Sequence, residues 1–341
     1  MIHVSFSGLQ TSATSFPPEK LLIWLTKFIV MGDAKTPDRT EILKKIEEKY
    51  EALGQDAGNF LKGFSHIKAL NYWDYIEVDT LLSLQRPRTD FPDEPIFIMY
   101  HQVTELLLKL IRHELQQVAD NPQIGTALFR TKLERVNRYA GILTQSFSVM
   151  REGMDYEQYN EFRLTLAPAS GFQSAQFRYV ELMCTDVSLL LNHRVKGKYT
   201  NDADLDELFT HMYWLDAGLD RKTGKYTQTL SQLLDRYLDD FKRTAVKMKS
   251  NNLYQRFKQL DPATEGYAEL RSAMRNFDHT YNVVWPLAHL KTAEYYLNFK
   301  GEVKAATGGS EWQKYLHPSY QRRIFFPELW SEEELAKWGT F

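Results

Sequence analysis

Two histidines and one arginine occupy the positions in this chain best placed to do chemistry. His101 lies in DEPIFIMYHQVTELLLKLIRHEL, residues 93–115. There Phe97, His101, Thr104, Leu108 and Leu115 recur at helical spacing along one face, while Lys109, His113 and Gln116 fall on another. An imidazole inside an apolar stripe is either a core side chain whose nitrogens bond to neighbours or a group that faces a ligand. His289, in VVWPLAHLKTAEYYL, shares its face with Trp285, Thr292, Ala293 and Tyr296. Thr292 and Ala293 are small, so a flat macrocycle could approach the backbone there while Trp285 and Tyr296 wall its edges. That is the steric requirement of an axial haem histidine, and a hydrogen-bonded core imidazole is the competing reading. Pro286 stands three residues earlier and implies a kink or a helix start.

Arg163, in YEQYNEFRLTLAP, shares a helical face with Tyr159 and Tyr156 just before the break at Pro168. A guanidinium matches a carboxylate in bidentate geometry, and the alternative is a salt bridge to Glu157 or Glu161. Close behind, Ser170 and Gln173 of SGFQ form a capping-box pattern. It predicts a helix running through Phe172, Tyr179, Leu182 and Leu189, whose first backbone N–H groups would suit a propionate or another anion.

Other chemistries find no support. The chain has no GxGxxG, Walker A, GxSxG or HExxH pattern, and none of its nine histidines has Glu three residues before it, as a di-iron bundle requires. Glu207 and His211 are spaced to share a helix face, but one such pair is usually a solvated contact. A single cysteine, Cys184, excludes an intramolecular disulfide and any CxxC motif, and suits a reducing cytoplasm. A net charge of −2 gives no electrostatic reason to expect nucleic acid or an anionic membrane as partner. Twenty Phe, 19 Tyr and 7 Trp suit a protein that encloses a large flat ligand, although a helical core or a subunit interface uses them too.

The elements that must position these residues are helical throughout. Residues 36–53, 93–115, 126–150, 156–166, 204–215, 227–248 and 264–299 carry helical rather than strand periodicity, which predicts an all-α fold with one large domain. Residues 1–30 include LLIWLTKFIV, too short to span a membrane, and are expected to be a poorly ordered extension before a domain of residues 31–341. TGGS, Thr307–Ser310, is a candidate lid or an ordinary flexible connector.

The segments YWDYIEVDTLL, DEPIFIMYHQVTELLLKL, YEQYNEFRLTLAPASGFQSAQFRYVE and AHLKTAEYYLNFK, followed by TGGS and FFPELW, resemble the tryptophan 2,3-dioxygenase family. They occur in family order from about Tyr72 to Trp330, and HQxxEL and SGFQSxQxRYxE are long and specific. The resemblance implies an all-α helical-bundle domain binding haem b, with an N-terminal helical arm packed on a neighbouring subunit of a homotetramer, a dimer of dimers. It implies insertion of O2 into L-tryptophan to give N-formyl-L-kynurenine, the first step of tryptophan catabolism. His289 would be the axial ligand and His101 the partner of the indole N–H, with Phe97 packed on the ring. Ile98, Met99 and Tyr100 would line the substrate pocket. Arg163 would hold the carboxylate with Tyr159 beside it, Thr307 would contact substrate as its loop closes, and Ser170 would lie near the distal haem face. Tyr72 and Tyr75 would reach into a neighbouring subunit's pocket. A related enzyme acting on another indole or aromatic amino acid, or a non-catalytic haem or tryptophan sensor, are the alternatives. The chain departs from the family in placing Pro286, Leu287 and Ala288 where basic residues commonly precede the axial histidine. It also has a longer segment before TGGS, with Glu302–Ala306 as the insertion.

Overall fold

The computed structural model describes residues 38–220, 223–299, 302–303 and 312–340. The expected N-terminal extension and the TGGS loop, with Thr307, lie outside them. The architecture is all-α, apart from two antiparallel pairs of two-residue strands, β1 (Leu219–Asp220) with β2 (Lys225–Tyr226) and β3 (Asn298–Phe299) with β4 (Glu302–Val303). The chain divides into two compact units, one ending at Asp79 and one beginning at Thr80.

The first unit contains α1 (Arg39–Ala52), α2 (Ala57–Phe64) and α3 (Tyr72–Tyr75); α4 (Val78–Leu82) follows across the boundary. Asp38, Asp56 and Asn71 cap the first three, each side chain accepting from a backbone N–H one turn in. None of these helices fully buries a residue; Ile46, Tyr50 and Leu61 are half-buried, and most of the other apolar side chains, Tyr72, Trp73 and Tyr75 among them, stay exposed.

The second unit is built on α5 (Glu94–Ala119), 26 residues and roughly 39 Å long. Pro95 sits in its first turn, where proline is tolerated, and Asp93 stands at the N-cap position but makes no side-chain cap. Its carboxylate instead accepts from the backbone N–H of Asp155 (2.5 Å), and Glu94 folds back to accept from the N–H groups of Arg88 (2.9 Å) and Thr89 (2.8 Å). Both acids are thus used to fix the entry of α5 against neighbouring chain. The C-terminal half of α5 enters the main core through Leu107, Leu108, Ile111, Leu115 and Val118. There it packs against α6 (Thr126–Gln145) and α9 (Ala175–Cys184). Burying each such side chain contributes about 1.5–3 kcal/mol.

Further on, α6 packs on α13 (Tyr267–His279), and α9 packs on α11 (Gln228–Met248). α10 (Leu205–Thr210) precedes α11, and α12 (Leu253–Lys258) follows it. The region predicted as one helix over 126–150 is two, with Ser146 between α6 and α7 (Phe147–Gly153). The region 156–166 is α8 (Tyr156–Phe162) followed by a 3-10 turn from Arg163 to Thr165. The helix predicted from Gly171 to Leu189 is likewise divided, into a 3-10 turn at Gly171–Gln173, α9, and a second 3-10 turn at Val187–Leu190. The Ser170–Gln173 capping box is present.

Pro286 stands in the first turn of α14 (Trp285–Leu297), the helix start that its position implied, and α13 reaches it through a π-turn over Thr280–Val284. Proline has no N–H to give the preceding turn and its ring crowds the carbonyl there. One wide turn accommodates both. The π-turn is held by Asp278, a fully buried carboxylate that accepts from Asn282 Nδ2 (2.8 Å), the N–H groups of Phe325 (2.9 Å) and Phe326 (3.1 Å), and the Trp330 indole (3.0 Å). The aromatic tail FFPELW is thereby anchored to the helix that leads to His289.

Candidate functional site

A second apolar cluster, separate from the main core, gathers the residues that the sequence marks for chemistry. It comprises Tyr100 on α5, Phe147 and Met150 on α7, Phe162 on α8, and Leu290 and Tyr296 on α14, with Phe97 and Tyr159 packed against it. The N-terminal half of α5 thus serves this cluster while its other half serves the core, which is why one stripe carries an imidazole and then leucines.

The rings form a continuous path. The His289 imidazole stacks on Phe147 (centroids 5.3 Å apart, 20° between planes), Phe147 meets Tyr100 (5.8 Å), and Tyr100 meets His101 edge-on (5.3 Å). His101 lies 4.2 Å from Phe97, and Phe97 reaches Phe162 (5.7 Å) and Tyr159 (6.0 Å). Both imidazoles therefore belong to one site, and they are close enough that the charge of His101 lowers the pKa of His289.

The two rings differ in how they are held. His101 Nδ1 lies 2.7 Å from the Phe97 carbonyl, which can only accept, so Nδ1 carries the proton and Nε2 keeps its lone pair. Burial lowers the pKa of His101 and keeps the ring neutral. His289, by contrast, has no hydrogen-bond partner for either nitrogen among the described residues. His289 is solvent-exposed, and the protein around it, with the His101 charge, brings its pKa down to about 4.

An axial haem ligand has to be neutral, with a nitrogen that no protein group has taken, beside flat apolar walls. His289 meets each requirement. Thr292 returns its hydroxyl to the Ala288 carbonyl (3.0 Å), which leaves no free polar group of its own on that stretch of helix. The expected wall residues behave differently from one another. Trp285 bridges this cluster and the main core, packing on Phe177 (5.1 Å) and Tyr281 (5.3 Å), whereas Tyr296 turns towards Tyr159 (4.3 Å). Among the described residues there is no group of three His, Cys, Asp or Glu able to hold a bare metal ion.

Arg163 is buried at the C-terminal cap of α8, one helical turn from Tyr159 and close enough for its charge to act on the Tyr159 phenol. Burial raises the Tyr159 pKa, with the Arg163 charge opposing, so the phenol stays protonated. A guanidinium at the end of an aromatic cluster can take a carboxylate while the rings take an apolar plane.

The structure does not bring every expected residue to this place. Of the three expected on α5 beside His101, Tyr100 alone lies in the cluster, where burial pushes its pKa up to about 12. Ile98 is half-buried outside the cluster, and Met99 is exposed on the opposite face with Val103, Leu106 and Leu110. Ser170 accepts from the Phe172 N–H (3.3 Å), and the turn it caps is tied to the Thr229 carbonyl through Gln173 (3.1 Å). Tyr72 and Tyr75 are exposed on the first unit. Phe147 and Phe162 were missed by sequence reasoning; Phe162 has the signal of its neighbour Arg163, and Phe147 has none. A cavity of about 280 Å³ between α9 and α11 includes none of these residues in its lining, and its Asp186 is already taken by Asn252 and Gln255.

The sequence pattern of the tryptophan 2,3-dioxygenase family matches residues 61–270 of this chain. The chain belongs to the tryptophan 2,3-dioxygenase family. Phe97, His101, Tyr159, Arg163 and Ser170 fall within the matched stretch, and His289 follows it. Relatives in the family include tryptophan 2,3-dioxygenases of Ruegeria sp., 30% identical over 82% of this chain and 95% of the relative, and of Ruegeria pomeroyi, 30% identical over 78% and 93%. That of Herpetosiphon aurantiacus is 28% identical over 77% of this chain and 97% of its own length. Membership accords with the all-α fold, and no described helix is long and apolar enough to cross a membrane.

Proposed function

We propose that this chain is a haem-dependent dioxygenase that places both atoms of O2 across the indole C2–C3 bond of L-tryptophan, giving N-formyl-L-kynurenine and opening tryptophan catabolism by the kynurenine pathway. The observation that carries the proposal is the pairing of two unlike imidazoles in one aromatic cluster. One has an available acceptor nitrogen, and the other has no hydrogen-bond partner among the described residues.

His289 would hold haem b, and the cofactor, when bound, supplies the iron chemistry that makes dioxygen reactive. The other residues bind and orient. Arg163, with Tyr159 beside it, takes the substrate carboxylate, and the Phe97 ring lies against the indole plane. His101 Nε2 accepts from the indole N–H, a task that its fixed tautomer suits and that needs no proton to leave the substrate. Indole is electron-rich, so holding the C2–C3 edge in place accounts for much of the rate. Thr307 and Ser170 would complete the pocket, with Tyr100 contributing through α5. Turnover under 18O2 tests the reaction: both new carbonyl oxygens of the product should carry label. Haem and tryptophan binding without product would identify a sensor, and equal or faster turnover of tyrosine or a hydroxylated indole would point to another substrate.

Self-association as a homotetramer is part of the same proposal. Its support is the first unit, whose helices fully bury no residue, and the exposed stripe Met99, Val103, Leu106 and Leu110 on α5. Tyr72 and Tyr75 would then enter a neighbour's pocket. A monomer by sedimentation at micromolar concentration would refute this part. The single, buried thiol of Cys184 supports a cytoplasmic location.

A further inference from the structure

We propose that Tyr296 is a positioning residue that links the helix of His289 to the turn of Arg163, so that the carboxylate end of the substrate is set from the haem-bearing helix. The inference rests on the site reading above and adds a residue to it. His289 and Tyr296 are seven residues apart, two helical turns, and so lie on the same face of α14. Along that face α7 is held at both ends. At its start Phe147 stacks on His289 (5.3 Å); at its end the Tyr296 hydroxyl donates to the carbonyls of Met150 (2.5 Å) and Met154 (3.1 Å). Met154 is the residue before Asp155, which caps α8 by accepting from the Gln158 N–H (2.9 Å).

Two further contacts reach α8 itself. The Tyr296 ring packs on Tyr159 (4.3 Å), which lies one helical turn before Arg163 on α8, and Asn160 Nδ2 donates to the Tyr296 carbonyl (3.4 Å). One buried phenol thus grips the end of α7 and the entry to α8, and packs on the side chain one turn before Arg163. A residue serving only to fill space would need no hydroxyl bound to the Met150 and Met154 carbonyls, and a phenylalanine would serve as well.

The test is Tyr296→Phe in the haem-loaded enzyme, read by calorimetric titration with L-tryptophan and with tryptamine, which lacks the carboxylate. The expected result is an affinity for L-tryptophan weakened about threefold to tenfold, the size of one lost hydrogen bond, with tryptamine and the Soret band unchanged. In the Arg163→Leu background the same substitution should add nothing, because the two act on one contact. Equal losses for both ligands, or additive losses in the double variant, overturn the inference and leave Tyr296 as packing. If Arg163→Leu itself fails to distinguish L-tryptophan from tryptamine, the site reading fails first and takes this inference with it. Asn160→Ala, which cuts the second tie between the same helices, should give the same ligand pattern if Tyr296→Phe does not fold.

Discussion

Replacing His101 with serine separates positioning from proton abstraction. The Phe97 carbonyl holds the proton on Nδ1, so the ring offers one lone pair, at Nε2, and a serine hydroxyl on the same Cα falls short of that position. What is lost is one hydrogen bond between neutral partners, about 0.5–1.5 kcal/mol, or about twofold to twelvefold in kcat/KM. A general base would contribute about a hundredfold to ten-thousandfold. The assay is kcat/KM for L-tryptophan and for its 1-methyl analogue, which has no N–H to donate. The parent protein should discriminate between them, and His101→Ser should lose most of that discrimination. The pH profile gives a second reading. The accepting form of His101 is the deprotonated one, and burial lowers its pKa, so the parent profile should stay level down through the ordinary imidazole value of about 6.5 and fall only below it. The serine variant should lack that acid limb. A loss beyond a hundredfold with haem and tryptophan still bound, or undiminished discrimination against the methylated analogue, would refute the reasoning.

Arg163→Leu should weaken tryptophan binding by about 2–4 kcal/mol, roughly 30-fold to 900-fold, because a carboxylate is left without its charge-assisted partner; unchanged affinity by titration counts against the assignment. His289→Ala should fold but not retain haem, and a normal Soret band after gel filtration would point to a different ligand. Asp278→Ala should cost about 3 kcal/mol or more in urea unfolding, since the N–H groups of Phe325 and Phe326 and the Trp330 indole lose a buried acceptor together. A loss under about 1 kcal/mol would mean that the tail is held elsewhere.

Much of this was legible in the chain because local periodicity is sufficient for long helices. The stripe of Phe97, His101 and Leu108 defined α5, and the pairing of Tyr159 with Arg163 followed from their spacing. What was not legible depended on partners remote in sequence. Asp93 has every local mark of a cap, yet the Asp155 N–H competes for its carboxylate and wins. No glycine or proline announces the breaks at Ser146 and Ser174, where helices end to meet neighbours. Phe147 touches His289 across 142 residues of chain, a contact that no spacing encodes.

The wide turn over Thr280–Val284 does more than accommodate a proline. A π-turn takes in one residue more than an α-helical turn within nearly the same rotation, so the extra residue is absorbed where it stands and the helix on either side keeps its phase. A one-residue deletion inside this stretch that restored ordinary winding would therefore leave the imidazole at 289 facing Phe147, whereas the same deletion between Pro286 and His289 would turn it by about 100°. The wide turn is thus a place where this chain can gain or lose a residue without disturbing the candidate site beyond it.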